Sequence, residues 1–430
     1  MLQRVDVAPR APDGYEPIVG TGVVEAVRSA AVPLQGLRVA HVNATAYGGG
    51  VSELLRSLVP LYRGLGIDCE WLVIPGTPRF FEVTKRLHNA LQGEPGRLSR
   101  RVRDAYLEHS RAVASMLESR YDLIWVHDPQ PAALRHLCGA RGARWIWRCH
   151  IDTSEPNESA LRFLEPLLED YDALVFTLAE FVPPLLGDHR IDVIAPAIDP
   201  LNPKNMQLPV PLADRIVEWA GIELGRPLVS QISRFDPWKD PLGVIAAYRR
   251  IRERAPGTQL ALLGQMALDD PQGWSMYRTI LNETAGDPEI HVLTNFTGVG
   301  NLEVNAFQSR SDVVLQKSLR EGFGLVVAET LWKETPVVAG RAGGIPLQMP
   351  PGTGGYLVDD VDECVERTVA LLADPDAGAA LGRAGHDHIG RHFLITRLLQ
   401  DELELAASVL GREPVAALES PAPQRDSSVR

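Results

Sequence analysis

Short, almost continuous apolar runs alternate along the chain with longer stretches whose apolar residues recur at helical spacing. The first series of runs is Leu37-Arg-Val-Ala-His41-Val-Asn43, Cys69-Glu-Trp-Leu-Val-Ile74, Asp122-Leu-Ile-Trp-Val126, Arg144-Trp-Ile-Trp-Arg148, Ala173-Leu-Val-Phe176 and Ile191-Asp-Val-Ile194. Runs this apolar, rich in β-branched and aromatic residues, fit strands covered on both faces. The Arg-rich stretch 84–120 between two of them has the spacing of two helices. A second series begins after residue 224: Leu228-Val-Ser-Gln-Ile-Ser233, Gln259-Leu-Ala-Leu-Leu-Gly264, Ile290-His-Val-Leu-Thr294, Val313-Val-Leu-Gln316 and Pro336-Val-Val-Ala-Gly340. Strands alternating with helices predict parallel, doubly wound sheets. The sequence thus predicts an α/β protein of two Rossmann-like domains, 1–200 and 224–392, joined by a Pro- and Asn-rich linker at 201–223. A terminal helix at 393–412 is expected to pack back on the first domain. The Ala-, Pro- and Ser-rich stretch 413–430 reads as a disordered tail, and the proline-dotted residues 1–36 as a small docking segment.

Length and charge narrow the function. A chain of 430 residues suits two domains. A net charge of −12 and a pI near 5.5 argue against a nucleic-acid or anionic-membrane partner. The four cysteines are scattered, with no C-x-x-C pair, which fits a reducing compartment and no zinc site. The opening Met-Leu-Gln-Arg-Val-Asp has no signal-peptide core, and no apolar run approaches a membrane span. A cytoplasmic protein is the expectation.

In doubly wound sheets ligands sit outside the carboxyl ends of the strands. Asn43, His127, Asp128, His150 and Asp152 all fall at such ends in the first domain. A single strand-end histidine is more often structural, but two His and two Asp ending neighbouring strands point to a site. The first strand is followed by Gly48-Gly49-Gly50, a glycine turn that is not the G-x-G-x-x-G dinucleotide fingerprint. In the second domain, Arg234 and Lys239 follow the first strand, and Glu321-Gly-Phe323-Gly324-Leu325 follows Val313–Gln316 and leads into a helix carrying Glu329. Glycines in that turn let a ligand approach the backbone, and a helix start offers N–H groups to a phosphate. Arg and Lys suit a diphosphate. Ionised glutamates are pure acceptors and suit hydroxyls on either side of it. Hydroxyls flanking a pyrophosphate describe a nucleotide sugar.

Arg234-x4-Lys239, Glu321-x7-Glu329 and Gly343-Gly344 resemble the retaining, nucleotide-sugar-dependent glycosyltransferases of the family-four group, which have the two-domain GT-B fold. Within that group, Tyr47-Gly-Gly-Gly-Val-Ser-Glu, Val-His127-Asp128-Pro-Gln, Arg148-Cys-His150-Ile-Asp152 and Ala197-Ile-Asp-Pro look most like trehalose synthases of the glycosyltransferring type. Retaining trehalose phosphorylases look similar. The resemblance implies transfer of glucose from a nucleoside-diphosphate glucose, UDP or ADP, to free glucose. It implies that Arg234 and Lys239 hold the donor diphosphate, that Glu329 takes the ribose hydroxyls and Glu321 the glucosyl hydroxyls. The backbone of Phe323, Gly324 and Leu325 would meet the phosphates, and Gly49 and Gly50 would let the first-domain loop approach. His150 would bind the transferring sugar, so that His150, Arg234, Lys239 and Glu321 form the catalytic set. Asn43, His127, Asp128 and Asp152 are the candidate acceptor-binding residues. No metal or other cofactor is expected, because no D-x-D pair ends a donor-side strand and two cations are present. The partners implied are small sugars, with no nucleic acid and no membrane; self-association into a homodimer stays open. The rival readings are a retaining trehalose phosphorylase, another retaining glycosyltransferase with a different small acceptor, and a non-hydrolysing epimerase or silent sugar-nucleotide sensor on the same fold.

Overall fold

The computed structural model describes residues 2–139, 141–266 and 271–412; the tail expected at 413–430 lies outside them. Two α/β units result. In the first, strands β1 (Gln3–Val5), β2 (Arg38–Asn43), β3 (Asp68–Val73), β4 (Leu123–His127), β5 (Arg144–Arg148), β6 (Ala173–Phe176) and β7 (Ile191–Val193) form one sheet in the order β1-β3-β2-β4-β5-β6-β7. All neighbours are parallel except β1, which pairs antiparallel with β3. In the second, β8 (Leu228–Ser233), β9 (Gln259–Gly264), β10 (Ile290–Thr294), β11 (Val313–Gln316), β12 (Val337–Gly340) and β13 (Gly355–Val358) are ordered β10-β9-β8-β11-β12-β13, all parallel. Each chain path runs outward from a central strand and then returns to that strand's other side. The turnover points lie between β2 and β4, and between β8 and β11, which is where such sheets bind ligands.

The interior strands β4, β9, β11 and β12 are buried along their whole length, as the continuous apolar runs require. Each sheet is covered on both faces. In the first domain Tyr106, Leu164 and Leu87 pack on one face, and Leu55, Leu58 and the terminal helix residues Leu398, Leu399 and Leu403 on the other. That terminal helix, Ile395–Val409, is covalently an extension of the second domain but buries its apolar stripe in the first.

Several elements differ from the sequence expectation. Residues 1–36 contribute the edge strand β1 and a helix at Thr21–Ala31 that packs Val27, Ala30 and Ala31 into the core. The latter half of the expected linker 201–223 is a helix, Val210–Trp219, whose Ala213 and Val217 are buried in the second domain. The helix after the glutamate turn, expected from the sequence to run from near Gly324 to a break at Pro336, spans Leu325–Leu331. β13, whose short apolar run is Tyr356-Leu-Val358, was not anticipated. No helix among the described residues is long and apolar enough to cross a membrane.

Candidate active site

Both turnover points open on the same cleft. On the second-domain side, β11 delivers the chain to Glu321 through a hydrogen-bonded relay: Gln316 Nε2 donates to Ser318 Oγ at 3.1 Å, and Ser318 Oγ to Glu321 Oε2 at 3.2 Å. Lys239, from the single helical turn after β8, pairs with the same Glu321 oxygen. The expected diphosphate cation and the expected sugar-binding acid therefore neutralise one another directly. Arg234 is half exposed, with Nη2 3.4 Å from Asp236 Oδ2. Asp236 also accepts from Trp238 N at 2.9 Å, and so shapes the loop that carries both cations.

Gly324 has φ +82° and caps the helix Leu325–Leu331 from the left-handed region, which is cheap only for glycine. The turn is supported from below by Gly343 and Gly344. A Cβ on Gly343 would lie 1.7 Å from Glu321 O, and Gly344 N donates to Gly322 O at 3.1 Å. The paired glycines thus serve close packing of one loop on another. Phe323 turns its ring into the core against Phe393, leaving only its backbone to the turn.

From the first domain, the Gly48–Gly50 turn ends at the helix Gly50–Gly64, and a Cβ on Gly50 would lie 3.1 Å from Leu325 Cδ1. The two glycine turns therefore abut. His150 arrives beside them: its carbonyl would be 2.5 Å from a Cβ on Gly322. Arg320 reaches back across the rim to Gln92 O and to Glu155, and its guanidinium lies 5.7 Å from the Trp238 ring centroid.

The expected acceptor residues are less open than their strand-end positions suggested. Asn43 accepts from Trp71 Nε1 at 2.8 Å and donates to Thr45 O at 2.7 Å, so it fixes the start of the glycine turn. Both ring nitrogens of His127 are taken by His41 and His150. Asp152 Oδ1 accepts from Ser154 N and Oγ in its own turn. Asp128 sits at φ +65° and accepts from His150 N at 2.8 Å; burial pushes its carboxyl up to about 7. These four shape the cleft wall, and His150 is the group they present.

Glu329 is not an open carboxylate. It is buried, accepts from Gln308 Nε2 at 3.2 Å, and lies 3.4 Å from Lys204 Nζ. Lys204, on the interdomain crossing, also donates to both oxygens of Glu53 at 2.8 Å. Burial alone would depress the Lys204 amine, but the two carboxylates outweigh it and raise it. Sequence reasoning missed Lys204 and Glu53, which lie 151 residues apart. It also missed His88, whose ring burial and the nearby Arg234 push down to about 4. A lysine in a Pro- and Asn-rich crossing was the available signal for the first.

The N-terminal part of the chain, residues 41–183, matches the family model for the trehalose synthase N-terminal domain, and residues 214–388 match glycosyl transferases group 1. The trehalose synthase of Rubrobacter xylanophilus is 49% identical over 416 residues, covering 96% of this chain and 100% of that protein. The chain belongs to the trehalose synthase family of glycosyltransferases. The trehalose phosphorylase of Pleurotus pulmonarius is more distant, 27% identical over 88% of this chain and 58% of its own length. An α,α-trehalose-phosphate synthase (UDP-forming) from Burkholderia xenovorans superposes with a TM-score of 0.69 at 15% identity, covering 87% of this chain and 100% of that one. That likeness shows the GT-B fold. For this family member, Arg234, Lys239 and Glu321 lie in the turns after β8 and β11, and the His150 carbonyl of the first domain adjoins Gly322.

Proposed function

We propose that this enzyme transfers glucose from a nucleoside-diphosphate glucose to the anomeric hydroxyl of free glucose, with retention, giving the α,α-linked disaccharide. One observation carries the reading. Lys239 and Glu321 form an ion pair at the Gly322–Gly324 turn, with Arg234 on the same loop as Lys239 and His150 against Gly322. A diphosphate entering beside Lys239 and Arg234 competes for the lysine and frees Glu321 to accept from sugar hydroxyls.

The bond from the donor's anomeric carbon to the diphosphate oxygen breaks, and a bond to the acceptor oxygen forms on the same face. The acceptor's proton passes to the departing diphosphate. Positive charge held where the leaving group develops its own charge lowers the barrier. This route needs no carboxylate nucleophile, unlike most retaining glycosidases, and the two cations take the place of a metal. The relatives' names divide between synthase and phosphorylase, and the higher identity to the synthases favours the synthase reading.

The test is proton NMR of the product made from α-linked UDP- or ADP-glucose and glucose in EDTA. Two equivalent α-anomeric signals with no reducing end are expected. A β linkage, a reducing-end product, transfer only to or from inorganic phosphate, or turnover that requires added magnesium would refute the proposal.

A further inference from the structure

His150 is the outer end of a chain of three imidazoles. Its Nε2 lies 3.0 Å from His127 Nδ1, and His127 Nε2 lies 3.0 Å from His41 Nδ1. Successive rings are tilted only 23° and 22° to one another. The chain descends from the cleft into the first-domain core. His150 is half-buried, His127 and His41 fully so, and His41 lies between a stacked Trp125 and the edge of Tyr62. His41 Nε2 has no hydrogen-bond partner among the described residues.

Proton counting restricts this chain to two states. A neutral imidazole is a donor at one nitrogen and an acceptor at the other. Each N···N contact has to hold one proton, since two lone pairs or two N–H groups would repel. Were His127 to donate at both ends it would be an imidazolium; were it to accept at both it would be an imidazolate. Burial, together with the Arg148 guanidinium on the same sheet face, opposes the charged form in all three rings. All three rings therefore share one tautomer, and the chain points wholly inward or wholly outward.

The inner end decides which. With all rings as Nε2–H, His41 would bury an N–H that nothing accepts. With all rings as Nδ1–H, it buries only a bare lone pair. Orphaned buried N–H groups are the rarer defect in folded proteins, and a nearby cation favours the lone pair. The outward state directs the Nδ1–H of His150, the half-buried outermost ring, away from the chain.

We propose that His41 and His127 are positioning residues that lock His150 in its Nδ1–H tautomer, so that it donates a hydrogen bond to a sugar oxygen in the cleft. This rests on the reading of His150 as a sugar-binding residue. A ring free in solution favours Nε2–H, and a solvent-exposed imidazole could either donate or accept. A locked donor selects a sugar oxygen that accepts at that point, and no ring reorientation is needed on binding.

The experiment is two-bond 1H–15N correlation spectroscopy on the 15N-histidine-labelled protein, with His150 assigned by its loss in His150→Gln. The wild type should show His150 as Nδ1–H before any substrate is added. His127→Phe keeps a ring but removes both nitrogens. It should shift His150 to Nε2–H and lower kcat about 10-fold or more, the scale seen when a group orienting a metal-bound imidazole is removed, with a smaller change in KM. His127→Asn places an amide donor near the lost Nδ1 and should restore the Nδ1–H signal and part of kcat. His41→Phe should leave His150 in a mixture of both tautomers. An Nε2–H signal for His150 in the wild type would overturn the proposal. So would an unchanged tautomer and kcat in His127→Phe. Should that variant fail to fold, the wild-type spectrum and His127→Asn decide. Full turnover by His150→Ala would instead refute the sugar-binding reading, while the tautomer spectrum would still report on the chain.

Discussion

Removing one carboxylate from the terminal helix should unseat the first domain. Glu402 is fully buried on the helix Ile395–Val409 and pairs with Arg148 at the end of β5, 254 residues earlier. Arg148 is itself 2% exposed and donates a second bond to Ile194 O at 3.3 Å. Glu402→Ala would leave that guanidinium buried with no counter-charge. Breaking one side of a buried pair costs about 3–5 kcal/mol. For a domain of this size each kcal/mol lowers the Tm by about 2–4 °C, so the shift expected is about 6–20 °C. The assay is differential scanning calorimetry, with the change in first-domain tryptophan fluorescence as a second probe, because Trp71, Trp125, Trp145 and Trp147 are all buried there. The double variant Arg148→Met with Glu402→Leu should recover most of the loss, since apolar groups of similar size replace such pairs at little cost. A single-variant loss of about 1 kcal/mol or less, the value of an exposed pair, would refute the reasoning. So would a double variant no better than the single one.

Three further outcomes follow from the site. Lys239→Ala and Arg234→Ala should each lower kcat/KM at least ~100-fold, the effect of losing about 3 kcal/mol of charge stabilisation on a leaving group; near-normal steady-state kinetics in both would remove the diphosphate assignment. Acid should destabilise the fold from about pH 6.5 downward. His41, held down to about 3, and His88, held down to about 4, are both depressed by burial first. A depressed group contributes stability above its unfolded value and loses it as pH falls. Asp128, raised to about 7 by burial, works the other way, favouring the fold below the usual carboxylate range and costing stability as pH rises towards 7. The histidines outnumber it, so chemical denaturation at pH 4.5 should show a lower midpoint than at pH 7, and equal midpoints would contradict the burial of the imidazole chain. Gly343→Ala should abolish turnover before it abolishes folding, because its Cβ would strike Glu321 O and push the turn aside; a fully active variant, by substrate titration, would show that the turn has slack.

The parts of the site that were legible in the sequence are those whose signal is local. The turns carrying Arg234, Lys239 and Glu321 stand directly after strongly apolar strands, and glycine marks the bends. What escaped was set by partners far away in the chain. Nothing near Glu329 announces Lys204, and nothing near Lys239 says that its partner is Glu321, 82 residues on. His41 sits mid-strand, where a histidine reads as an ordinary interruption of an apolar run, and its meaning comes only from His127, 86 residues later. β1 was invisible because three partly exposed residues, Gln3–Val5, carry no hydrophobic alternation and are held by the edge of β3. The strand-end rule picks out residues at the carboxyl ends of β2, β4 and β5, but it cannot tell a side chain that faces a ligand from one that braces its neighbour.

The chain passes between the domains twice, near residue 198 and again near 394, and the two passages are bonded to each other. Ile198 N donates to Phe393 O and Ile395 N to Ile198 O, both at 2.9 Å. Two independent tethers would allow swivel, slide and twist. Two tethers lashed side by side behave as a door hinge, with one soft axis along the paired strands and stiffness in every other direction. Asp199 stiffens the pin further, accepting from Arg10, Tyr15 and Ser57 at 2.7–3.0 Å. Asn305 Nδ2 ties the Lys204 loop to the second domain through Pro203 O and Met206 O, so an opening about this hinge parts Lys204 from Glu53 and swings His150 away from Gly322 along the same arc. The Glu53–Lys204 contact and the His150–Gly322 contact are geared together, and neither can open alone.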